Sequence, residues 1–452
     1  MTGTAGHTSP RTVQARFVSG SIMRHVIVMT MTGAIGLMAL FLVDLADLFF
    51  LALLEKTEIT AAVGFAGTAA FINLSISIGL GIATAAMVAR NLGAGDADTA
   101  RQFASTTLAV TLFISLATSA AMALYTEEVL MLLGASGPAL EQGAVYLRIL
   151  IVGFPMLAGA ICCNFSLRAL GDARRATYAT LSVAVVNAVL DPILIFGLDM
   201  EIRGAALASV CANITSFSIA IYGLKVVHKF LFLPSFEMIR SDFRPTFAVA
   251  MPAILTQLAT PFAIAYLTRA SAEFGDGVVT AIAIINRLTP VAFGVIFSLS
   301  GAVGPIIGQN FGASQFNRVR QSLHDALLFC VCYTLATSLV LFGLRAHIPD
   351  WFQVSGETGY LVTFYCTWLA VAWAFAGAQF VAQAAFNNLG RAHWSTMFNW
   401  GRATVGTIPF IWAGAKFGGA LGMMIGSVFG QVIFGIAAAV TAYRLVGRIS
   451  RQ

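Results

Sequence analysis

The sequence predicts an all-α polytopic membrane protein: twelve transmembrane helices in two six-helix bundles related by pseudo-two-fold symmetry. Three observations predict it. Of its 452 residues, 58% are hydrophobic and 10% charged, where a soluble globular protein carries about 25% charged residues. Its apolar stretches run about twenty residues or more, the length a helix needs to cross a hydrocarbon core of about 30 Å. Finally, the second half of the chain echoes the first at a fixed spacing. Such a composition excludes a soluble enzyme, a disordered chain and a disulfide-rich secreted domain. A transmembrane β-barrel would read instead as short alternating segments.

Polar clusters punctuate the chain and divide it into spans near 25–54, 58–88, 102–125, 143–168, 176–197, 203–228, 248–272, 277–307, 319–345, 358–387, 392–414 and 418–446. The first six are expected to form one bundle (25–228), after a polar N-terminal tail (1–24). A basic linker follows (229–247), then the second bundle (248–446) and a short tail (447–452). Residues 1–24 are polar and basic, unlike a cleavable signal peptide. The repeat supports the division. Asn91-Leu92-Gly93-Ala94 recurs as Asn310-Phe311-Gly312-Ala313. Arg101-Gln102 recurs as Arg320-Gln321, and Leu170-Gly171 as Leu389-Gly390, at the same spacing. Thr60-Ala61 recurs as Thr280-Ala281 with a slip of one position. An even number of helices per half makes the repeats parallel, related by an axis along the membrane normal.

Orientation follows from the distribution of Lys and Arg. With the N-terminus in the cytoplasm, inner segments hold Arg11, Arg16, Arg24, Arg90, Arg101, Arg168, Arg174, Arg175, Lys225, Lys229, Arg240 and Arg244, with Arg318, Arg320 and Arg391 in the second half. Outer loops hold Lys56, Arg203, Arg345 and Lys416 and are otherwise acidic, with Glu55, Glu58, Glu127, Glu128, Glu141, Asp199, Glu201 and Asp350. Both termini are thus expected in the cytoplasm, with the chain in a bacterial inner membrane. The net charge of +6 reflects these inner segments, and no nucleic-acid partner is expected. The six cysteines sit in apolar stretches without metal-ligand spacing and read as small packing residues.

Charge at membrane depth costs at least about 2.5–3.5 kcal/mol per residue and calls for a reason. The acids there are Asp44, Asp47 and Asp191; the bases are Arg287 and Arg402. Asp44 and Asp47 share a helix face, as do Asn187 and Asp191. Counted from the outer ends of their spans, Asp47 lies about 12 Å deep and Asp191 about 9 Å deep. Desolvated carboxylates of this kind exchange a proton near neutral pH. With amide oxygens beside them they also make hard ligands for Na⁺, which places a candidate ion site at Asp47, Asn187 and Asp191. The alternative is structural, with the acids paired to Arg287 or Arg402 across the halves. Gln257, Arg287 and Arg402 are candidates for lining a substrate cavity. No Walker A loop, His-Glu-x-x-His, Cys-x-x-Cys or Gly-x-Ser-x-Gly occurs, so neither an enzyme nor an organic cofactor is expected.

These residues, in this order, resemble the multidrug and toxic compound extrusion (MATE) transporters over nearly the whole chain. Val43–Phe50 followed by Ala61-Ala62-Val63-Gly64 is similar to the family's first-helix Asp motif, with Asp47 the better match. Ala89–Gly95 and Gly308–Ala313 look like the ends of the second and eighth helices. Leu167–Asp172 and Asn187-Ala188-Val189-Leu190-Asp191-Pro192 are close to the pattern of the fourth and fifth helices, and Gly204–Ser209 to the start of the sixth. The resemblance implies a V-shaped pair of bundles and alternating-access export of an organic cation or amphiphile against H⁺ or Na⁺. It implies coupling at Asp47, Asn187 and Asp191, with Ser209 and Asn164 added, as in the prokaryotic DinF-like type. Many members carry a proline in the first helix. Met29–Phe50 has none, and Gly33 and Gly36 are the expected source of flexibility; the extra Asp44 leaves open which carboxylate carries the proton. A single chain is expected to suffice, with lipid and small amphiphilic or cationic molecules as its partners. The competing reading is a lipid-linked precursor flippase of related architecture. The sign of the cavity charge separates the two: acids favour cation export, arginines the flippase.

Overall fold

The computed structural model describes residues 14–52 and 57–451, with the side chains at 44, 45, 48, 49, 51, 52, 57 and 60 excepted, and no strand occurs among the described residues. Six long helices form the first lobe: α1 (Ile22–Ala52), α2 (Thr57–Gly93), α3 (Ala97–Leu124), α4 (Gly137–Ala169), α5 (Ala173–Pro192) and α6 (Glu201–Tyr222). The second lobe opens with α7 (Phe236–Ala272), α8 (Asp276–Gly312) and α9 (Phe316–Leu344). Helix α10 runs from Gly356–Phe364 through a wide turn at Tyr365–Leu369 to Trp373–Asn388. The end of the bundle where α1 begins is called the near end here, and the opposite one the far end.

The last helices need a local argument. Eleven stretches are long and apolar enough to cross a membrane, and the eleventh, Ala392–Ile449, has 58 residues, too many for one crossing. It breaks after Ala403 and resumes at Ile408. Gly419 then takes φ +60, ψ −147, a conformation that suits glycine. On either side of it, Gly414 meets Gly422, Phe410 meets Gly426, and Gly406 meets Gly430, backbone against backbone. Those pairings describe an antiparallel hairpin. Hence α11 covers 392–418 and α12 covers 419–449, which makes twelve. Glycines let the two helices approach to a distance no side chain would allow.

Helix α7 starts at Phe236, earlier than the span expected near 248. Its first turns carry Glu237, Arg240, Asp242 and Arg244, too polar to register as a span. They are helical because Ser235 caps the N-terminus, its Oγ accepting from the Met238 N–H at 3.3 Å. Asp242 is buried there and accepts from Gln102 Nε2 (3.0 Å) and Thr106 Oγ1 (2.8 Å), pinning the start of the second lobe to α3. Between α4 and α5, Asp172 caps α5 by accepting from the Arg175 N–H at 3.2 Å. Its carboxylate is also paired with the Arg175 guanidinium and lies 2.7 Å from His228 Nε2. Burial alone would raise this carboxyl, but the hydrogen bonds from His228 and Arg175 outweigh it and hold it well below the usual carboxylate range.

The lobes touch along α1, α2, α3 and α4 on one side and α7, α8, α9 and α10 on the other. At the near end α2 and α8 cross so closely that a Cβ on Gly93 would meet the Gln309 carbonyl, and one on Gly312 the Arg90 carbonyl. Arg90 Nε and Nη2 donate to the carbonyls of Asn388 (2.6 Å) and Asn387 (2.8 Å) at the end of α10. Gln309, the repeat counterpart of Arg90, donates Nε2 to the carbonyl of Ala169 at the end of α4 (2.8 Å). Ala169 is in turn the first-half counterpart of Asn388, so the internal repeat of the sequence becomes a pair of symmetry-related contacts in space. The segment before α1 is strapped beneath: the Phe17 N–H donates to Gln309 Oε1 (2.8 Å), and the Phe17 carbonyl accepts from Arg318 Nη2 (2.9 Å).

Higher up, Ser298 Oγ donates to the Thr30 carbonyl (2.8 Å), and Phe41 packs edge-on against Phe297. Toward the far end Ala61, Gly64 and Thr68 on α2 and Ala283 and Arg287 on α8 are not buried. The lobes are thus sealed at the near end and splayed at the far end. Helix α1 runs unbroken past Gly33 and Gly36. A Cβ at Gly33 would press on the Arg168 guanidinium and one at Gly36 on Thr180. These glycines serve close packing, a different use from the flexibility expected of them.

Candidate functional site

The first lobe gathers three of the expected side chains at one place. Asp191 is 1% exposed and Asn187 6%, one turn apart on the same face of α5. Asp47 projects from α1, half-buried, within hydrogen-bonding reach of the Asp191 carboxyl. Thr177 Oγ1 donates to the Thr32 carbonyl at 2.8 Å, which fixes the register of α1 against α5 and brings residues 47 and 191 level. Asp47 Oδ1, Asn187 Oδ1 and Asp191 Oδ2 are all buried without a donor. Buried acceptors without donors are rare in native proteins and mark a ligand or a strained site. Three such oxygens, two from carboxyl groups and one from an amide, can hold a hard cation or a shared proton. Toward the far end, Phe50 meets Phe196 edge-on at 6.2 Å.

The other expected residues distribute differently. Gly204 packs on Leu194 and Ile195, so Ser209, in the antiparallel α6, comes level with Leu190 and Asp191. Asn164 does not join the cluster. It stands one turn from Arg168, which is level with Gly33, and so lies about 15 Å below Asp191 along the helix axes; its Oδ1 is nevertheless buried without a donor. The side chain of Asp44 lies outside the described residues. Arg287 is exposed on α8, two turns before Gly294, on the face where Gly294 and Ser298 meet α1. It therefore faces the splayed end of the cleft, with no ion pair among the described residues. Gln257 is half-buried on α7.

Arg402 forms no ion pair with any described acid. Its Nε and Nη2 donate to Asn399 Oδ1 (3.3 and 3.2 Å), and Nη2 also to Thr260 Oγ1 (3.3 Å). Asn399 belongs to a polar ladder inside the second lobe that sequence reading misses. Gln379, Gln383 and Asn387 recur every fourth residue on one face of α10 and oppose Ser395, Asn399 and Arg402 on α11. Ser395 Oγ donates to Asn387 Oδ1 (2.9 Å), and Gln379 Nε2 to Asn399 Oδ1 (3.3 Å). The spacing of four between amides in an otherwise apolar helix is the signal that could have found it. The second-half counterparts of Asn187 and Asp191 are Gly406 and Phe410, so the second lobe has no copy of the carboxylate site. Arg168, expected at the cytoplasmic end of the fourth span, lies in the last turn of α4, between Gly33 of one lobe and Gly301 of the other.

One family model, described as MatE, matches the chain twice, over residues 34–193 and again over 252–413, once in each lobe. The chain belongs to the MatE family. It is accordingly a multi-pass membrane transporter of the multidrug and toxic compound type rather than an enzyme. It is 29% identical over 434 residues to a FAD transporter of Shewanella oneidensis, covering 95% of this chain and 96% of that one. It is 21% identical over 422 residues to the multidrug export protein MepA of Staphylococcus aureus, covering 92% of each. Among solved structures, it superposes on an outward-facing multidrug resistance MATE transporter of the MOP superfamily with a TM-score of 0.91 (22% identity, 99% and 100% of the chains covered). A mutant of the Vibrio cholerae MATE transporter VcmN gives 0.89 (24% identity, 95% and 99%). Both likenesses concern the fold, twelve helices in two bundles.

Proposed function

We infer that this MatE transporter is a secondary active exporter of amphiphilic compounds, driven by exchange against H⁺ or Na⁺ bound at Asp47, Asn187 and Asp191. The observation that carries the reading is the set of three donorless buried oxygens on those residues. An empty site of this kind holds two carboxyl groups at close quarters in a low dielectric, and a proton or Na⁺ relieves their repulsion. The ion binds from the far, external side while the lobes are splayed. Binding offsets one of the two negative charges and lets α1 and α5 draw together, and that change is transmitted to the cleft by α1, which packs on α8 through Thr30 and Gly33. Cargo is expelled because the ion-bound form of the lobe holds it less tightly; only such a difference in affinity can drive the cycle. The near end is then the cytoplasmic face, in keeping with the excess of Lys and Arg there. The named relatives span a flavin dinucleotide and multiple drugs, so the cargo is expected to be an aromatic amphiphile, and flavins belong among the compounds to test. Ser209 lies level with the site and is proposed to add a hydroxyl ligand to it.

The test is efflux of a fluorescent aromatic dye from proteoliposomes, under an imposed pH gradient and, separately, a Na⁺ gradient. Asp191→Asn and Asp47→Asn are each expected to abolish gradient-driven efflux while leaving the protein folded. Efflux that survives both substitutions removes the coupling site.

A further inference from the structure

We propose that the second lobe contains an anion site centred on Arg402, which receives a phosphate group carried by the exported compound. The inference rests on the export reading, and goes beyond it by assigning a charge and a place to the cargo. Arg402 is ten residues into α11 from Ala392, about 15 Å along the axis, near the middle of a bilayer core. No described carboxylate neutralises it. Instead Arg402 Nε, Arg402 Nη2 and Gln379 Nε2 all converge on one acceptor, Asn399 Oδ1. A carbonyl oxygen has two lone pairs, so three donors oversubscribe it. Gln383 Nε2, in a residue 8% exposed, is buried with no acceptor at all. Asn399 Oδ1 is thus oversubscribed, and the positive charge of Arg402 has no counter-ion among the described residues.

The chemistry of these groups narrows the ligand. One neutral acceptor is also left without a partner, Gln379 Oε1, in a residue 1% exposed. A halide offers acceptor capacity only. A singly protonated phosphate offers a counter-charge to Arg402, an acceptor oxygen to Gln383 Nε2 and one O–H donor to Gln379 Oε1, the two groups of the ladder left without a partner. There is also a way in: Arg402 Nη2 reaches Thr260, which is exposed, and Gln257 stands one turn before Thr260 on the same face of α7. The two lobes therefore differ in charge, with carboxyl oxygens lacking donors in the first and a guanidinium lacking a described carboxylate in the second. A cation and an anionic cargo then occupy separate lobes and do not compete for the same atoms.

The measurement is equilibrium binding to the purified full chain in lipid nanodiscs, with riboflavin 5′-phosphate, riboflavin and inorganic phosphate as probes. The two flavins share a ring and differ by the phosphate, so their affinity ratio isolates the proposed contact. We expect the phosphate ester to bind at least about tenfold tighter than riboflavin, as charge-assisted hydrogen bonds allow. Arg402→Gln should bring that ratio to near one with riboflavin affinity unchanged, and Arg402→Lys should retain part of it. Should Arg402→Gln fail to fold, Gln383→Leu keeps the charge, removes one donor, and should lower the ratio about threefold. Equal binding of the two flavins by the parent overturns the proposal, as does a ratio that survives Arg402→Gln or, when that variant does not fold, Gln383→Leu. Inorganic phosphate binding as tightly as the ester overturns the role of the cargo and leaves a free-anion site. Binding needs no gradient, so the outcome is independent of the efflux test, and either can fail while the other stands.

Discussion

Removing the Arg90 side chain should open the near end of the transporter by an amount that can be worked out beforehand. Arg90 holds the end of α10 through two short bonds, 2.6 and 2.8 Å, to the carbonyls of Asn388 and Asn387. Hydrogen bonds from a charged donor contribute about 1.5–3 kcal/mol each. Arg90 is only half-buried, so the lower figure applies and the pair amounts to about 3 kcal/mol. At about 1.4 kcal/mol per factor of ten, Arg90→Ala should shift the ratio of near-closed to near-open molecules about a hundredfold. Gln309→Leu is the built-in control. It removes the symmetry-related contact, one neutral bond of 2.8 Å to Ala169, worth about 1 kcal/mol, and should shift the ratio about fivefold. Gln309 also accepts from Phe17, so some loosening of the segment before α1 accompanies the change. Single-molecule fluorescence transfer in nanodiscs, with dyes at the near ends of α3 and α9, reads the two populations directly. If Arg90→Ala leaves the ratio within about twofold of the parent, or moves it no further than Gln309→Leu, the seal is held by helix packing and the reasoning fails.

Three further expectations concern stability. Asp172 is held below the usual carboxylate range, so its stabilisation is complete above the unfolded value of about 3.9 and is lost as the pH falls through the lower, folded value. Asp172→Asn should therefore lower the melting temperature at about pH 7, with the gap to the parent closing as the pH falls below about 4; a gap constant with pH refutes the assignment. Asp242→Ala removes the acceptor of Gln102, Thr106 and Ser241, about 3 kcal/mol at about 1 per bond, and should hasten proteolysis in the segment between α6 and α7 without affecting cleavage elsewhere. Gly422→Val places side-chain atoms where the Gly414 carbonyl now sits. Overpacking of this kind costs about 1–3 kcal/mol and should show as a lower melting temperature, whereas an unchanged one would mean that the α11–α12 hairpin is looser than described.

Much of this architecture is legible directly because apolar length and repetition are local properties of a chain. The repeat of Asn91-Leu92-Gly93 at Asn310-Phe311-Gly312 defines the two halves. The acid-bearing run Asn187–Asp191 supplies two of the three residues of the candidate site. What escapes depends on which helix lies against which. The start of α7 escapes because its first turns are amphipathic and lean on α3 through Asp242, where a hydropathy reading sees only charge. Arg168 reads as one more cytoplasmic-end arginine, and nothing local says that two glycines from opposite halves of the chain, Gly33 and Gly301, make room for it. Asn164 groups with the acids on family likeness, yet the register of α4 puts it well below them. The ladder from Gln379 to Arg402 is invisible for a different reason: each amide is ordinary alone, and only the opposition of α10 and α11 reveals that three donors meet on the one oxygen of Asn399.

The near-end seal has a consequence for energy conversion. Three side-chain hydrogen bonds, two from Arg90 and one from Gln309, amount to roughly 4 kcal/mol. A single charge falling through about 100 mV releases about 2.3 kcal/mol, so one ion crossing a potential of roughly 170 mV carries as much energy as the seal holds. On the ion exchange proposed above, a latch of that strength is matched to the energy of one ion per turnover.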